Sequence, residues 1–393
     1  MNFIPLSIPN FEGNERKYVD DAIDQGWVST GGAYIGELEK KMADFLRCED
    51  VAACQSGTSA IHLALVDAGV QPGDMVIVPT LTFIAAVNPV KYQFAEPVFI
   101  DCDDSLCMDP EKLEAFCENE CVCTDGKLIH QSTGKQVKAI IVVHVFGNMA
   151  DMEAIMRVAV QFGLKVIEDA TEALGTKYVS GKYAGKYAGT IGDYGAFSFN
   201  GNKIITTGGG GAVTAQDAEA VSHMRYLSTQ SKDDPLFYVH NEIGYNYRMT
   251  NVQAAIGVAQ MEELPAFIER KQRNIELYKG ELADCPYCDL LDFREGTASN
   301  KWFYSLVIDF EKFDIDVREL IAILHEKGIQ TRAIWSLIHH QAPYKDCAVY
   351  QIEQAEHYSA AVINIPCSTQ ITEEEIRYVS AQIKEVLGEH FHE

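Results

Sequence analysis

Four short segments of the 393-residue chain hold side chains able to do chemistry. The first is Ser56-Gly57-Thr58-Ser59-Ala60, placed where a helix starts. Small residues there let backbone N–H groups approach an anion, and the hydroxyls and helix dipole add donors. Alone, the segment reads more readily as an ordinary helix cap. The second is Glu168-Asp169-Ala170, closing the apolar run from Leu164. A carboxylate at that strand's end sits where α/β ligands bind, although a single loop acid is usually just solvated. The third is Phe197-Ser198-Phe199-Asn200-Gly201-Asn202-Lys203, followed by Ile204-Ile205-Thr206-Thr207 and four glycines, 208–211. A lysine ringed by small, aromatic and apolar residues is partly desolvated and can present its amine to a carbonyl. Most lysines snorkel from turns instead; the flanking strand and the glycine run favour the reactive reading. The fourth, Tyr245-Asn246-Tyr247-Arg248-Met249-Thr250-Asn251, opens a long helix with a cation and amides, or with an arginine that serves structure alone.

The elements that must position these segments follow from periodicity. Leu38, Met42 and Phe45 fall at helical spacing, as do Ala60, Ile61, Ala64 and Leu65 on a helix ending at Gly69. Strands are expected at 75–78, 97–101, 139–144 and 164–169. Helices are expected from about Phe83, near 109–117 and at 151–162. This βα alternation predicts an α/β fold with a mainly parallel sheet covered by helices. A long helix at about 250–280 is expected to break near Pro265. Beyond it come a strand at 302–308, a helix at 316–327 and a C-terminal helix at 373–387, opened by Thr372 and Glu375 in a capping-box pattern. The organisation predicted is a large α/β domain over 1–250, a connecting helix over 251–280 and a small α+β domain over 281–393. The polar stretch 103–138 reads as a hairpin or loop insertion.

Composition narrows the function classes. Thirty-two basic against 57 acidic residues give a net charge of −25, which disfavours nucleic acid and anionic membranes. No apolar run approaches a bilayer-spanning length, and the N-terminal MNFIPLSIPN lacks the pattern of a secretory leader. A cytoplasmic location is expected. The odd count of 11 cysteines reads as reduced thiols. Cys117, Cys121 and Cys123 lack a Cys/His pair at zinc-site spacing, so no metal is expected. The dinucleotide, P-loop, zincin and nucleophile-elbow signatures are absent.

An anion cup, a carboxylate and a lysine together meet the needs of pyridoxal phosphate. In order along the chain, IPNFEGNERKYVDDAIDQGWVSTGG, QSGTSAIHLAL, PTLTFIAAVNPV, VIEDATEALG, FSFNGNKIITTGGGG and YNYRMTNVQAAIG resemble the sugar-nucleotide aminotransferases of the DegT/DnrJ/StrS type. These have the aspartate-aminotransferase fold, fold type I. The resemblance implies that Lys203 is the Schiff-base lysine and moves a proton between substrate and cofactor. It implies that Asp169 pairs with the pyridine nitrogen, that Gly57, Thr58 and Ser198 contact the phosphate, and that Phe83 covers the ring. Glu172 would stand near the ring oxygen. Asn251 would reach the phosphate of a neighbouring subunit's cofactor, which implies a homodimer with shared active sites. Relatives with His at the lysine position dehydrate; Lys203 implies amine transfer from L-glutamate to a nucleotide-linked keto sugar. PLSIPN, GWVSTGG and the 103–138 insertion most resemble the branch acting on UDP-linked 4-keto-6-deoxy-N-acetylhexosamine, of the bacillosamine and legionaminic acid routes. The GDP-linked 4-keto-6-deoxymannose (perosamine) branch is the alternative. Arg248, Trp335 and His339 are candidate substrate contacts, the last two equally suited to core packing. A non-catalytic relative would have no need for Lys203, Asp169 and the SGT turn together.

Overall fold

The computed structural model describes residues 3–234 and 236–392. Helices α1 (Glu15–Asp24) and α2 (Ala33–Leu46) precede β1 (Ala52–Cys54). Then come α3 (Gly57–Asp67), β2 (Met75–Pro79), α4 (Asn88–Tyr92) and β3 (Glu96–Ile100). Helix α5 (Pro110–Asn119) leads into the hairpin β4 (Cys121–Thr124) and β5 (Lys127–His130), and on to β6 (Gln136–Val143). After α6 (Met152–Phe162) follow β7 (Lys165–Asp169), the short β8 (Lys177–Tyr178), β9 (Tyr194–Ser198), β10 (Gly211–Ala215) and α7 (Ala218–Ser228). Helix α8 (Asn251–Leu282) connects to the smaller layer. The chain then continues through β11 (Asp289–Leu290), β12 (Thr297–Ala298), β13 (Tyr304–Val307), α9 (Val317–Glu326), β14 (Arg332–Ala333), β15 (Ala348–Tyr350), α10 (Gln354–Ala361), β16 (Val362–Ile365) and α11 (Glu373–His390).

The large sheet runs β1-β10-β9-β7-β6-β2-β3-β15. From β9 to β15 every pairing is parallel, and β10 is antiparallel to both neighbours. Strands β2, β6 and β7 carry β-branched runs because helices cover both faces, and Val76, Ile140, Ile141 and Val166 are wholly buried. Each such side chain contributes about 1.5–3 kcal/mol of burial. A second sheet, β11-β13-β16-β14, forms the smaller layer under α9 and α11. A mainly parallel sheet covered by helices, with a smaller second layer, is the architecture the βα alternation predicts.

Three features depart from expectation. Helix α8 runs unbroken through Pro265 for 32 residues; packing against α1, α2 and α11 outweighs the single lost hydrogen bond. Strand β15, from the C-terminal third, supplies the edge of the large sheet by pairing parallel with β3. The N-terminal stretch joins the smaller layer instead: the Ile4 N–H donates to Gly328 O at 2.8 Å, and the Cys367 N–H to Leu6 O at 2.7 Å. Within 103–138, α5 and the β4–β5 hairpin extend β6, so the insertion is ordered structure. Cys117 and Cys121 are buried there, and burial pushes the Cys121 thiol up to about 12; both thiols pack as small apolar groups. Among the described residues no helix is long and apolar enough to cross a membrane.

Behind the sheet edge, the buried Glu168 carboxylate accepts from Gly189 N (2.9 Å), Ile191 N (2.6 Å), Gly192 N (2.6 Å) and His144 Nε2 (2.9 Å). The Ala150 N–H donates to His144 Nδ1 at 3.2 Å, which places the imidazole proton on Nε2. Glu168→Ala strands these donors. It is expected to lower stability by about 3 kcal/mol or more, read by urea denaturation; a loss below about 1 kcal/mol contradicts the assignment.

Candidate active site

The site lies at the C-terminal ends of the parallel strands, where each chain segment leaves the sheet. Thr82 and Phe83 follow β2, Phe146 follows β6, Thr171 and Glu172 follow Asp169 at the end of β7, and Asn200 to Lys203 follow β9. With Gly57 and Thr58 at the start of α3 they line a cavity of about 600 Å³. The smaller layer closes it with Trp302, Phe303, Arg332 and Trp335.

Helix α3 begins at Gly57 because Ser56 caps it, its hydroxyl accepting from Ser59 N at 3.0 Å and its carbonyl from Ala60 N at 3.1 Å. The N–H groups of Gly57 and Thr58 stay outside this cap, at the positive end of the helix dipole. A Cβ on Gly57 would come within 2.7 Å of Thr171 Cγ2 and 3.0 Å of Ser198 Cβ. Only glycine lets this turn meet the other two strand ends, and the result is a cradle of backbone donors and hydroxyls suited to a phosphate.

Asp169 is buried, and one carboxylate oxygen accepts from Thr171 N at 3.0 Å. Burial pushes its carboxyl above the ordinary range, against the Thr171 hydrogen bonds and the charge of Lys203. Glu172 accepts from Phe146 N at 2.8 Å. Phe146 holds a left-handed conformation, φ 55°, to deliver that N–H, a strain of about 1–3 kcal/mol stored at the site. Lys203 Nζ lies 3.6 Å from Glu172 Oε1 and 4.2 Å from the centre of the Trp302 ring. Trp302 in turn donates from Nε1 to Asn202 O at 2.8 Å, fixing the loop that carries the lysine. Phe83 is half exposed at the cavity wall, free to lie against a flat ligand.

Lys203, Asp169, Gly57, Thr58, Phe83, Glu172, Ser198 and Trp335 are thus brought together, as the sequence reading expected. Trp335 packs its ring 4.7 Å from that of Phe146. Two expected substrate contacts are corrected. Arg248 does not line the cavity: its guanidinium pairs with Glu39 and donates to Ala53 O, tying α2 to β1. His339 lies outside it as well, with Nδ1 2.6 Å from Thr80 Oγ1, and joins the smaller layer to the end of β2. Asn251 is buried at the start of α8 and does not reach this chain's cavity. Its Nδ2 donates to Trp27 O at 2.7 Å, and its Oδ1 accepts from Tyr34 N at 3.0 Å. Sequence reasoning missed Phe146, Thr171, Trp302 and Arg332. Trp302 sat inside a stretch read wholly as strand, and Arg332 lies on a two-residue strand too short for any periodic signal.

An amine beside a buried carboxylate, under a flat aromatic wall and next to an anion cradle, on this fold, defines a pyridoxal phosphate-dependent aminotransferase. Residues 9–384 match the description "DegT/DnrJ/EryC1/StrS aminotransferase family", and the chain belongs to that family. It is 37% identical to a GDP-perosamine synthase of Caulobacter vibrioides over 98% of both chains. It is 36% identical to a GDP-perosamine synthase of Escherichia coli O157:H7, covering 98% of this chain and 99% of the relative. The solved structure of DesI in the presence of its TDP-sugar product is similar, with a TM-score of 0.87 and 26% identity over 98% of this chain and 93% of that one.

Glu172 gives the site a pH signature. Burial pushes its carboxyl from 4.5 up to about 7, although the Lys203 charge opposes the shift. The folded chain holds this proton more tightly than the unfolded chain. The stability it adds is therefore present below about pH 4.5 and lost as pH rises through about 7. Cofactor-free wild type is expected to lose on the order of 1–3 kcal/mol across that range relative to Glu172→Gln, measured by denaturation at each pH. Parallel profiles for the two proteins contradict this.

Proposed function

We propose that this aminotransferase moves the amino group of L-glutamate to the 4-keto group of GDP-4-keto-6-deoxymannose, the perosamine-type reaction. The observation that carries the reading is the name shared by the two relatives above, each matched along nearly its whole length, together with a lysine retained at position 203. These names favour the guanosine-linked substrate over the UDP-linked sugar that the opening PLSIPN and the 103–138 stretch suggest.

When bound, pyridoxal phosphate supplies an aldehyde to accept the amine and a ring to take up electrons. The chain supplies the rest. Gly57 and Thr58 N–H groups and the Ser198 hydroxyl hold the phosphate. The buried Asp169 carboxylate would pair with the ring nitrogen and keep it protonated. Lys203 Nζ takes the proton from the reacting carbon of the donor and returns one to the acceptor. Phe83 would cover a ring face, and Trp302 fixes the lysine loop. Arg332, exposed on β14 at the mouth, offers a cation to anionic reactants.

The same reading takes the working form to be a homodimer with shared sites and Asn251 near the partner's phosphate. Exposed Trp27, Val28, Leu236, Phe237, Tyr238 and Ile243 support it as apolar surface in need of a cover. It also places the chain in the cytoplasm, a reading supported by 11 free cysteines.

The test is a panel of GDP-, UDP- and dTDP-linked 4-keto-6-deoxy sugars with glutamate as donor. The GDP-linked sugar is expected to give the highest kcat/KM, and Lys203→Ala to lose at least about 10³-fold in transfer. A preference for the UDP-linked sugar would overturn the substrate assignment, and near-normal transfer by Lys203→Ala would overturn the lysine's role.

A further inference from the structure

Well away from the cavity, the sequence Asp284-Cys285-Pro286-Tyr287-Cys288-Asp289 forms the turn between α8 and β11. The Cys285 N–H donates to Leu282 O at 2.9 Å, ending the helix. Tyr287 points its ring at Phe391 (5.0 Å between centres) and Phe313 (6.2 Å), which pins the turn beneath the end of α11. With the tyrosine held on that side, the two sulfurs face each other at 3.6 Å, and the Cys288 S–H donates to Cys285 Sγ. We propose that Cys285 and Cys288 are a redox-active dithiol that exchanges with small disulfides, Cys285 attacking and Cys288 resolving.

Three observations fix the direction. Cys285 is partly exposed, whereas Cys288 is 8% exposed, so an external disulfide reaches Cys285 first. The Cys285 thiol is held below its ordinary range by the Cys288 hydrogen bond, then by the Tyr287 and Cys288 N–H groups and the Lys384 charge. Lys384 is kept nearby by Asp284, at 2.8 Å. Cys288, the donor in that hydrogen bond, is pushed up and keeps its proton. By contrast, burial pushes up the thiols of Cys54, Cys102, Cys107, Cys117 and Cys121, which stay protonated and unreactive.

The exchange balances in two steps. The Cys285 thiolate attacks one sulfur of a glutathione-type disulfide, forming a mixed disulfide and releasing one small thiolate. Cys288 then gives up its proton to that thiolate and attacks the Cys285 sulfur, forming the internal disulfide and releasing the second small group as a thiolate, which takes its proton from water. The chain loses two electrons and the external disulfide gains them. The sulfurs need to close only from 3.6 Å to about 2.05 Å.

The test incubates the holoenzyme with oxidised glutathione, quenches in acid, alkylates, and weighs the peptide spanning both cysteines. In the wild type this peptide is expected to become two hydrogens lighter without an adduct, and to revert with reduced glutathione. Cys288→Ser is expected to trap one glutathione on position 285, and Cys285→Ser to take up none on Cys288. Overturning results are a wild-type peptide that stays fully alkylated while Cys288→Ser also remains unmodified, a wild-type adduct that never resolves, or an adduct on Cys288 in Cys285→Ser. A circular dichroism spectrum matching wild type confirms that each variant is folded, so a silent result counts against the proposal.

Discussion

Two carboxylates, Asp169 at the end of β7 and Glu172 just beyond it, are buried side by side, and the charge that answers both is the amine of Lys203. Desolvating two acids side by side is costly unless a cation stands close. The rest of the site follows from meeting that condition. Lys203 must come off β9 at the right height, so the Asn200–Lys203 loop is pinned by Trp302. Glu172 must be oriented, so Phe146 adopts a left-handed backbone to hand it an N–H. The arrangement favours a ligand that brings its own ring cation to Asp169 and its own anion to the Gly57 cradle.

Burial by itself does not distinguish this amine. Lys271 is more deeply buried, and burial pulls its pKa down. Its Nζ, however, is spent on Trp302 O at 2.6 Å and Cys367 O at 2.5 Å, and it helps to lock α8 to the smaller layer. Lys203 instead faces an open cavity with a carboxylate and a ring face as its neighbours. The difference lies in what surrounds each amine, and only the parallel-strand edge assembles the surroundings that leave it available to a ligand.

Much of this was legible in the sequence because the cavity-lining residues sit in short local patterns. Ser56-Gly57-Thr58, Asp169 and Lys203 each fall at the end of an apolar run, and the sheet alone brings those ends together. The Thr372–Glu375 cap on α11 was equally local and is present. What failed was long range. Arg248 meets Glu39, 209 residues away, and His339 meets Thr80, 259 residues away; no window of sequence displays such partners. Pro265 misled for the opposite reason, since tertiary packing on three helices overrode a local rule. The crossing of β15 into the large sheet was invisible because three residues carry no period.

The account stands on Lys203 being the side chain that engages the cofactor covalently. Borohydride reduction of the pyridoxal phosphate-loaded enzyme, followed by peptide mapping, reads this directly. The expected result is one cofactor per chain fixed to Lys203. A label on Lys271 or Lys301, or none on any lysine of a protein that retains bound cofactor, would contradict it.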